Sequence, residues 1–226
     1  NTSNYAWSFN PSSQTIDQTI TNLSEDRLDI EEAAVSYDKK IYLFGGTGTN
    51  SVTIYSPGTT NQISISSDGI PGAAFDDDVK STSGLDYHPD SDKVVYITFV
   101  AGDPDQWNIV EYNGTTASSA YSSSTTLTHP RYSADGSHIY LVETSGSSST
   151  LKVFNGTSTS SVFTLPLNTI DDIQTSQERD RIFYLQEGDI WVHDNGVNSR
   201  VLDSATNAIT EFEILPYSIF DEGEIN

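Results

Sequence analysis

The chain repeats itself. Four segments superpose in register: Ala33-Ala-Val-Ser-Tyr-Asp-Lys-Lys-Ile-Tyr-Leu-Phe-Gly-Gly, Leu85-Asp-Tyr-His-Pro-Asp-Ser-Asp-Lys-Val-Val-Tyr-Ile-Thr, Pro130-Arg-Tyr-Ser-Ala-Asp-Gly-Ser-His-Ile-Tyr-Leu-Val and Ile173-Gln-Thr-Ser-Gln-Glu-Arg-Asp-Arg-Ile-Phe-Tyr-Leu. Lys93 and His138 stand 45 residues apart, and His138 and Arg181 stand 43 apart. A unit recurring at this period cannot bury its apolar surface alone and must stack on its neighbours. Lys40 and Lys93 are 53 residues apart, and the excess is expected to be an inserted loop in the Asp-rich stretch 69–83.

Each unit reads as four short strands. The first ends in a polar turn such as Ala134-Asp-Gly-Ser. The second, at 41–44, 94–99, 139–142 and 182–185, is almost wholly apolar, which requires cover on both faces. The third ends at an aromatic residue or His before Asn113-Gly114, Asn155-Gly156 or Asn195-Gly196, pairs suited to the φ > 0 positions of a tight hairpin. The fourth, at 62–66, 118–122, 161–165 and 199–203, is more polar. Four strands per unit at this period predict an all-β propeller. The blades are expected at about 33–68, 84–124, 128–166 and 171–204. The ends complete the pattern. Pro216-Tyr-Ser-Ile-Phe-Asp-Glu-Gly-Glu-Ile matches the opening of the third unit, and residues 4–21 read as a third and fourth strand. Pairing 209–226 with 4–21 makes a fifth blade and removes exposed sheet edges; the competing arrangement is a piece of a larger ring.

The pattern Pro130, Ser133, Asp135, Gly136, Ile139, Tyr140 resembles the WD40-like propeller repeats of the TolB type, and residues 41–46 resemble a single kelch strand. The first and fourth units carry Asp38-Lys39 and Glu178-Arg179 where that family has Asp-Gly. The resemblance implies a propeller that binds or scaffolds, and it does not specify a reaction.

Composition closes off several chemistries. There is no Cys, so there is no thiol nucleophile, disulfide or zinc–thiolate site. Lys and Arg number 10 against 32 Asp and Glu, a net charge of −22 that repels nucleic-acid phosphates. The apolar runs are too short to span a bilayer. The start at Asn1, with no signal-like stretch after it, reads as a processed chain or a segment of a longer one. With the missing Cys, this points to an extracellular, cell-surface or periplasmic location.

Among chemistry-bearing residues, His88, His129, His138 and His193 sit in four different repeat contexts and are expected to be structural. Asp86, Asp171 and Asp172 begin first strands and are the carboxylates a propeller glycosidase would aim into its channel; the plainer reading makes them solvated turn residues. Asp76, Asp77 and Asp78 in one loop, and Asp103 and Asp105 in another, offer the hard oxygen ligands that calcium takes, although a carboxylate run is more often a solvated face. Trp7 and Trp191 share a repeat position, and Phe9, Tyr55, Tyr112, Phe154 and His193 follow two residues later, a stripe that reads as blade-to-blade packing. Trp107 starts its strand beside a loop and is the expected exposed ligand contact. Asn22, Asn113 and Asn155 are glycan-acceptor candidates.

The expected role is therefore a non-catalytic binding or assembly module of a surface, adhesin-like or filament-associated protein. Its partner would be a protein or glycan on a cell surface, or another copy of the chain, contacting the polar loops at 45–50, 101–106 and 145–150. No nucleic acid, membrane span or required cofactor is expected, and calcium is the ion the loops suit. A lectin-like carbohydrate binder is the alternative, and a propeller glycosidase the third reading.

Overall fold

The computed structural model describes strand backbone at 6–10, 15–20, 30–35, 41–45, 51–55, 63–66 and 78–79. It describes the chain from 85 to 214 except 89–90, 92, 101–103, 114–116, 177–180, 205–207, 211 and 213. Among these residues every regular element is a strand. β1 (Ala6–Asn10) and β2 (Thr15–Ile20) form a two-stranded antiparallel pair. β3 (Ile30–Val35), β4 (Ile41–Gly45), β5 (Ser51–Tyr55) and β6 (Ile63–Ser66) form a four-stranded sheet in chain order. β7 (Asp78–Val79), β8 (Leu85–Tyr87), β9 (Val94–Val100), β10 (Gln106–Tyr112) and β11 (Ala117–Ser123) form the next. β12 (Thr126–Tyr132), β13 (Ile139–Ser145), β14 (Ser148–Phe154) and β15 (Thr159–Leu165) form the third. β16 (Asp172–Thr175), β17 (Ile182–Gln186), β18 (Asp189–Asp194) and β19 (Val197–Leu202) form the fourth.

The stretch 69–83 is not wholly a loop. β7 pairs Asp78 with Phe99 and Val79 with Thr98, and β8 pairs Leu85 with Tyr96 along the same edge of β9. Both segments therefore take the first-strand place beside β9. The equivalent strand of the third sheet also breaks its ladder, between Thr128 and Arg131, with His129 at φ 52°. A bulge recurs between the third and fourth strands, at Ile109/Val110, Leu151/Lys152 and Ile190/Trp191, where the extra residue strengthens the local twist.

Stacking explains the apolar second strands. In β9, Val94, Val95, Tyr96 and Ile97 are all at most 2% exposed, although alternate residues point to opposite faces. On one side of the third sheet, Leu127, Tyr132, Ile139, Leu141 and Phe154 pack with Val95, Ile97 and Ile109 of the second. On its other side, Val142 and Leu151 pack with Ile170, Ile173, Ile182 and Tyr184 of the fourth. Of the expected aromatic stripe, Tyr112 and Phe154 are buried, and Trp191 stacks on Tyr184 at 6.3 Å; the side chains of Trp7, Phe9 and Tyr55 lie outside what is described. The fourth sheet is less covered. β19 is exposed throughout, and Phe183, Val192 and Val201 line an open depression of about 550 Å³. The tail strand expected at 216–226, and its pairing with β1 and β2, lie outside the described residues.

The first-to-second-strand turns have one geometry in spite of their different sequences. His88 N donates to Lys93 O at 2.9 Å, Ser133 N to His138 O at 2.9 Å, and Ser176 N to Arg181 O at 3.0 Å. Ser133 and Ser137 hydroxyls and the Ser137 amide all donate to the Asp135 carboxylate. These bonds hold its pKa well below the usual carboxylate range, and they explain why this turn carries the most recognisable motif.

Candidate binding face at the hairpin end of the sheets

The alternation of strand direction gives each sheet two chemically distinct ends. One carries the second-to-third-strand hairpins and the crossovers from each fourth strand to the next first strand. The other carries the first-to-second and third-to-fourth turns. Among the described residues, Asp78, Asp105 and Trp107 lie at the first end, and Asn113 and Asn155 at the second.

At the hairpin end, Trp107 pairs with Phe99, and Phe99 pairs with Asp78, so the three lie in one row across the second sheet. Asp78 and Asp105, which are 27 residues apart in the chain, thereby come to one end of one sheet. Asp105 is exposed there; Asp76, Asp77 and Asp103 lie outside the described residues. Among the described residues no group of three or more His, Asp or Glu is placed to hold a metal ion. Trp107 differs from the exposed ring expected. It is half-buried, packs on the core between the second and third sheets, and meets Phe99 at 4.8 Å between ring centroids. The reason is its register: opposite Phe99, the indole is a cross-strand packing partner as well as a loop neighbour.

The next crossover is tied by one carboxylate. Glu143 accepts from Ser123 at 3.0 Å and Thr125 at 2.6 Å and pairs with Lys152 at 2.5 Å. Burial raises its pKa, but the hydrogen bonds from Lys152, Thr125 and Ser123 outweigh burial and the net shift is downward. In the following crossover, Ile170 N donates to Ser149 Oγ at 3.2 Å and Asp171 N to Leu185 O at 2.9 Å.

The first strands are sewn together by side chains. Asp86 Oδ2 accepts from Tyr132 N at 2.6 Å, and Tyr132 O accepts from Thr175 Oγ1 at 2.7 Å, linking the second, third and fourth sheets in turn. Tyr132 Oη donates to Glu111 at 2.9 Å, and the same phenol is raised by burial and by Glu111. Arg131 donates to Leu85 O at 3.4 Å and pairs with Asp172 at 3.4 Å. Asp172 also accepts from Ile173 N at 2.8 Å, and Gln174 Nε2 donates to Phe212 O at 3.3 Å, extending the seam beyond the fourth sheet. Asp86, half-buried, and Asp172, buried, are thus more than solvated turn residues. They are the acceptors that satisfy backbone and guanidinium donors between sheets, and only Asp171 is exposed, held by Thr169 Oγ1 at 3.0 Å. Sequence reading placed Asp86 and Asp172 on the right strands, whereas Asp171 lies in the crossover just before β16; it had no means of seeing that the partners of Asp86 and Asp172 lie one repeat away.

The histidines have unrelated surroundings. His88 Nε2 lies 3.1 Å from Gly136 O, and its ring meets the edge of Tyr132 at 4.8 Å. His138 Nδ1 is 2.5 Å from Ser137 Oγ, and His193 Nδ1 is 2.7 Å from Asn198 Oδ1. His129 sits in the first-strand bulge; burial, then the Arg131 charge, pulls its pKa down to about 4. At the turn end, Asn113 is exposed, and exposed Asn155 accepts from Thr157 N at 3.1 Å and Ser158 N at 3.0 Å. Asn22 lies outside the described residues.

No family model matches the sequence, and no curated protein matches it. Solved structures do match. A chain of a nidogen/laminin complex superposes with a TM-score of 0.61 at 10% identity, covering 88% of this chain and 74% of that one. TolB from Acinetobacter baumannii gives 0.58 at 17% identity, with 82% and 46% covered. The fold is a β-propeller. A prolyl endopeptidase structure gives 0.62 at 12% identity, with 88% of this chain and 33% of that chain covered. This propeller therefore spans about a third of the endopeptidase chain and under half of TolB. The same architecture occurs in proteins of different activity, and identities this low carry the fold alone. Among the described residues, no helix of the propeller is long and apolar enough to cross a membrane.

Proposed function

We propose that this propeller is a non-catalytic binding module, working outside the cytoplasm, that takes a protein partner on the hairpin end of its blades. The observation that carries the reading is the use made of Asp86 and Asp172. A glycosidase needs two carboxyl groups available to substrate. Here both acids accept hydrogen bonds that join neighbouring blades, and withdrawing either for catalysis would leave a half-buried or buried donor without its acceptor. What the hairpin end offers is recognition chemistry: short, hydrogen-bonded hairpins rich in Ser and Thr, such as Thr144 paired with Ser149 at 3.3 Å, on a rigid stack of sheets. The nidogen/laminin complex is a propeller-fold match from a protein–protein assembly, which agrees with this role. A carbohydrate reading keeps Trp107 as its aromatic contact, with half of that ring already committed to packing.

The test is a screen of the purified chain with generic glycoside and peptide substrates, run beside cross-linking on the surface of the source cell. No turnover is expected, and cross-links should concentrate on the hairpin end. Turnover that Asp172→Asn abolishes, in a variant that melts like the parent, would overturn the reading.

A further inference from the structure

The crossover between the third and fourth blades carries an outlier. Leu167 is 82% exposed and sits at φ 69°. An exposed leucine alone needs no explanation. A left-handed leucine is costly, because its Cβ crowds the following carbonyl, and glycine or Asn would hold the same turn without that strain. Pro166 and Asn168 flank it, so the sequence reads simply as a loop; the strain is visible only in the fold. The loop that carries it is tied down a few residues further on. The crossover is clamped at Ile170 by Ser149, at Asp171 by Leu185 O, and internally by Thr169 on the Asp171 carboxylate. A strained apolar side chain held out to solvent on a braced loop is arranged for contact.

The surroundings say what kind of contact. Asp171, four residues on, is exposed, and so is Glu187 in the neighbouring second-to-third-strand hairpin at the same end of the fourth blade. The whole chain carries −22. An exposed apolar side chain at the same end of the blade as exposed carboxylates, on a strongly acidic body, complements a basic segment with an apolar socket, and it disfavours a second copy of the chain, which would bring like charge to like charge.

We infer that Leu167 is the apolar anchor of the docking surface, and that its partner is a polypeptide segment in which Lys or Arg flanks an apolar pocket or side chain. This rests on the binding role proposed above and names its centre.

The experiment compares the wild-type chain with Leu167→Asn. Asn tolerates the left-handed conformation, so the variant should melt about 2–4 °C higher, the size of rise that relief of such strain gives in a chain of this length. Both chains are panned in parallel against a random-peptide phage library. The wild type should enrich peptides combining basic and apolar residues, and the variant should lose that enrichment. A variant that melts lower would make Leu167 a packing residue and overturn the inference. Equal enrichment on both chains would also overturn it while leaving the binding role standing. Enrichment on neither would overturn both.

Discussion

Gly136 and His88 make the sharpest test of how adjacent blades are locked. Gly136 is at φ 67°, and a Cβ built there would lie 2.1 Å from His88 Nε2. Gly136→Ala therefore has two costs. Left-handed strain at Ala is roughly 1 kcal/mol. Displacing His88 forfeits its bond to Gly136 O, about 1 kcal/mol, and its edge contact with Tyr132, about 0.5–1 kcal/mol. The single variant should lose about 3 kcal/mol. In a His88→Ala background the space is empty, so the same substitution should cost only the strain, about 1 kcal/mol. The coupling of roughly 1.5–2 kcal/mol is read from urea midpoints followed by tryptophan fluorescence, with an unchanged slope showing that the unfolding reaction is the same. Equal costs in both backgrounds would refute the argument, because they would mean that the imidazole does not occupy the space above Gly136.

Two further outcomes follow from the same geometry. His129 has a folded pKa of about 4, below its unfolded value near 6.5, so the unfolded chain binds the extra proton first. Its contribution is complete above pH 6.5 and is lost as pH falls towards 4, by about 3 kcal/mol at most. His129→Asn, which suits the positive φ, should flatten that part of the stability profile, and an unchanged slope between pH 6.5 and 4 would exclude His129 as its source. If the acidic stretches 76–78 and 103–105 hold calcium, saturation at a hundred times the dissociation constant should add about 2.7 kcal/mol. Asp105→Asn should reduce the melting shift, and a melting curve indifferent to both calcium and chelator would dispose of the site.

The repeat, the strand order and the two-sided burial of the second strands were legible in the sequence. These are local or periodic properties: Val94 to Ile97 are apolar whichever way the chain turns, and four unbroken apolar strands in one chain can be buried only by stacking sheets. Turn sites were legible for the same reason, since Asn-Gly pairs and the Ser-x-Asp-Gly-Ser run bond within a few residues of themselves. What the sequence could not display was a partner fixed by sheet stacking or strand register, or a strained backbone angle. Asp86 looked like a channel acid, but its donor is Tyr132 N in the next blade. Trp107 looked like an exposed ring until its register set it against Phe99. Asp78 joined the same row only once β7 had paired with β9. The strain at Leu167 exists only as a backbone angle. Sheet stacking brings Asp86 and Tyr132 together from 46 residues apart, and strand register sets Phe99 against Trp107 and Asp78; in each case a group's chemistry follows from the donor or ring it faces more than from the residues beside it in the chain.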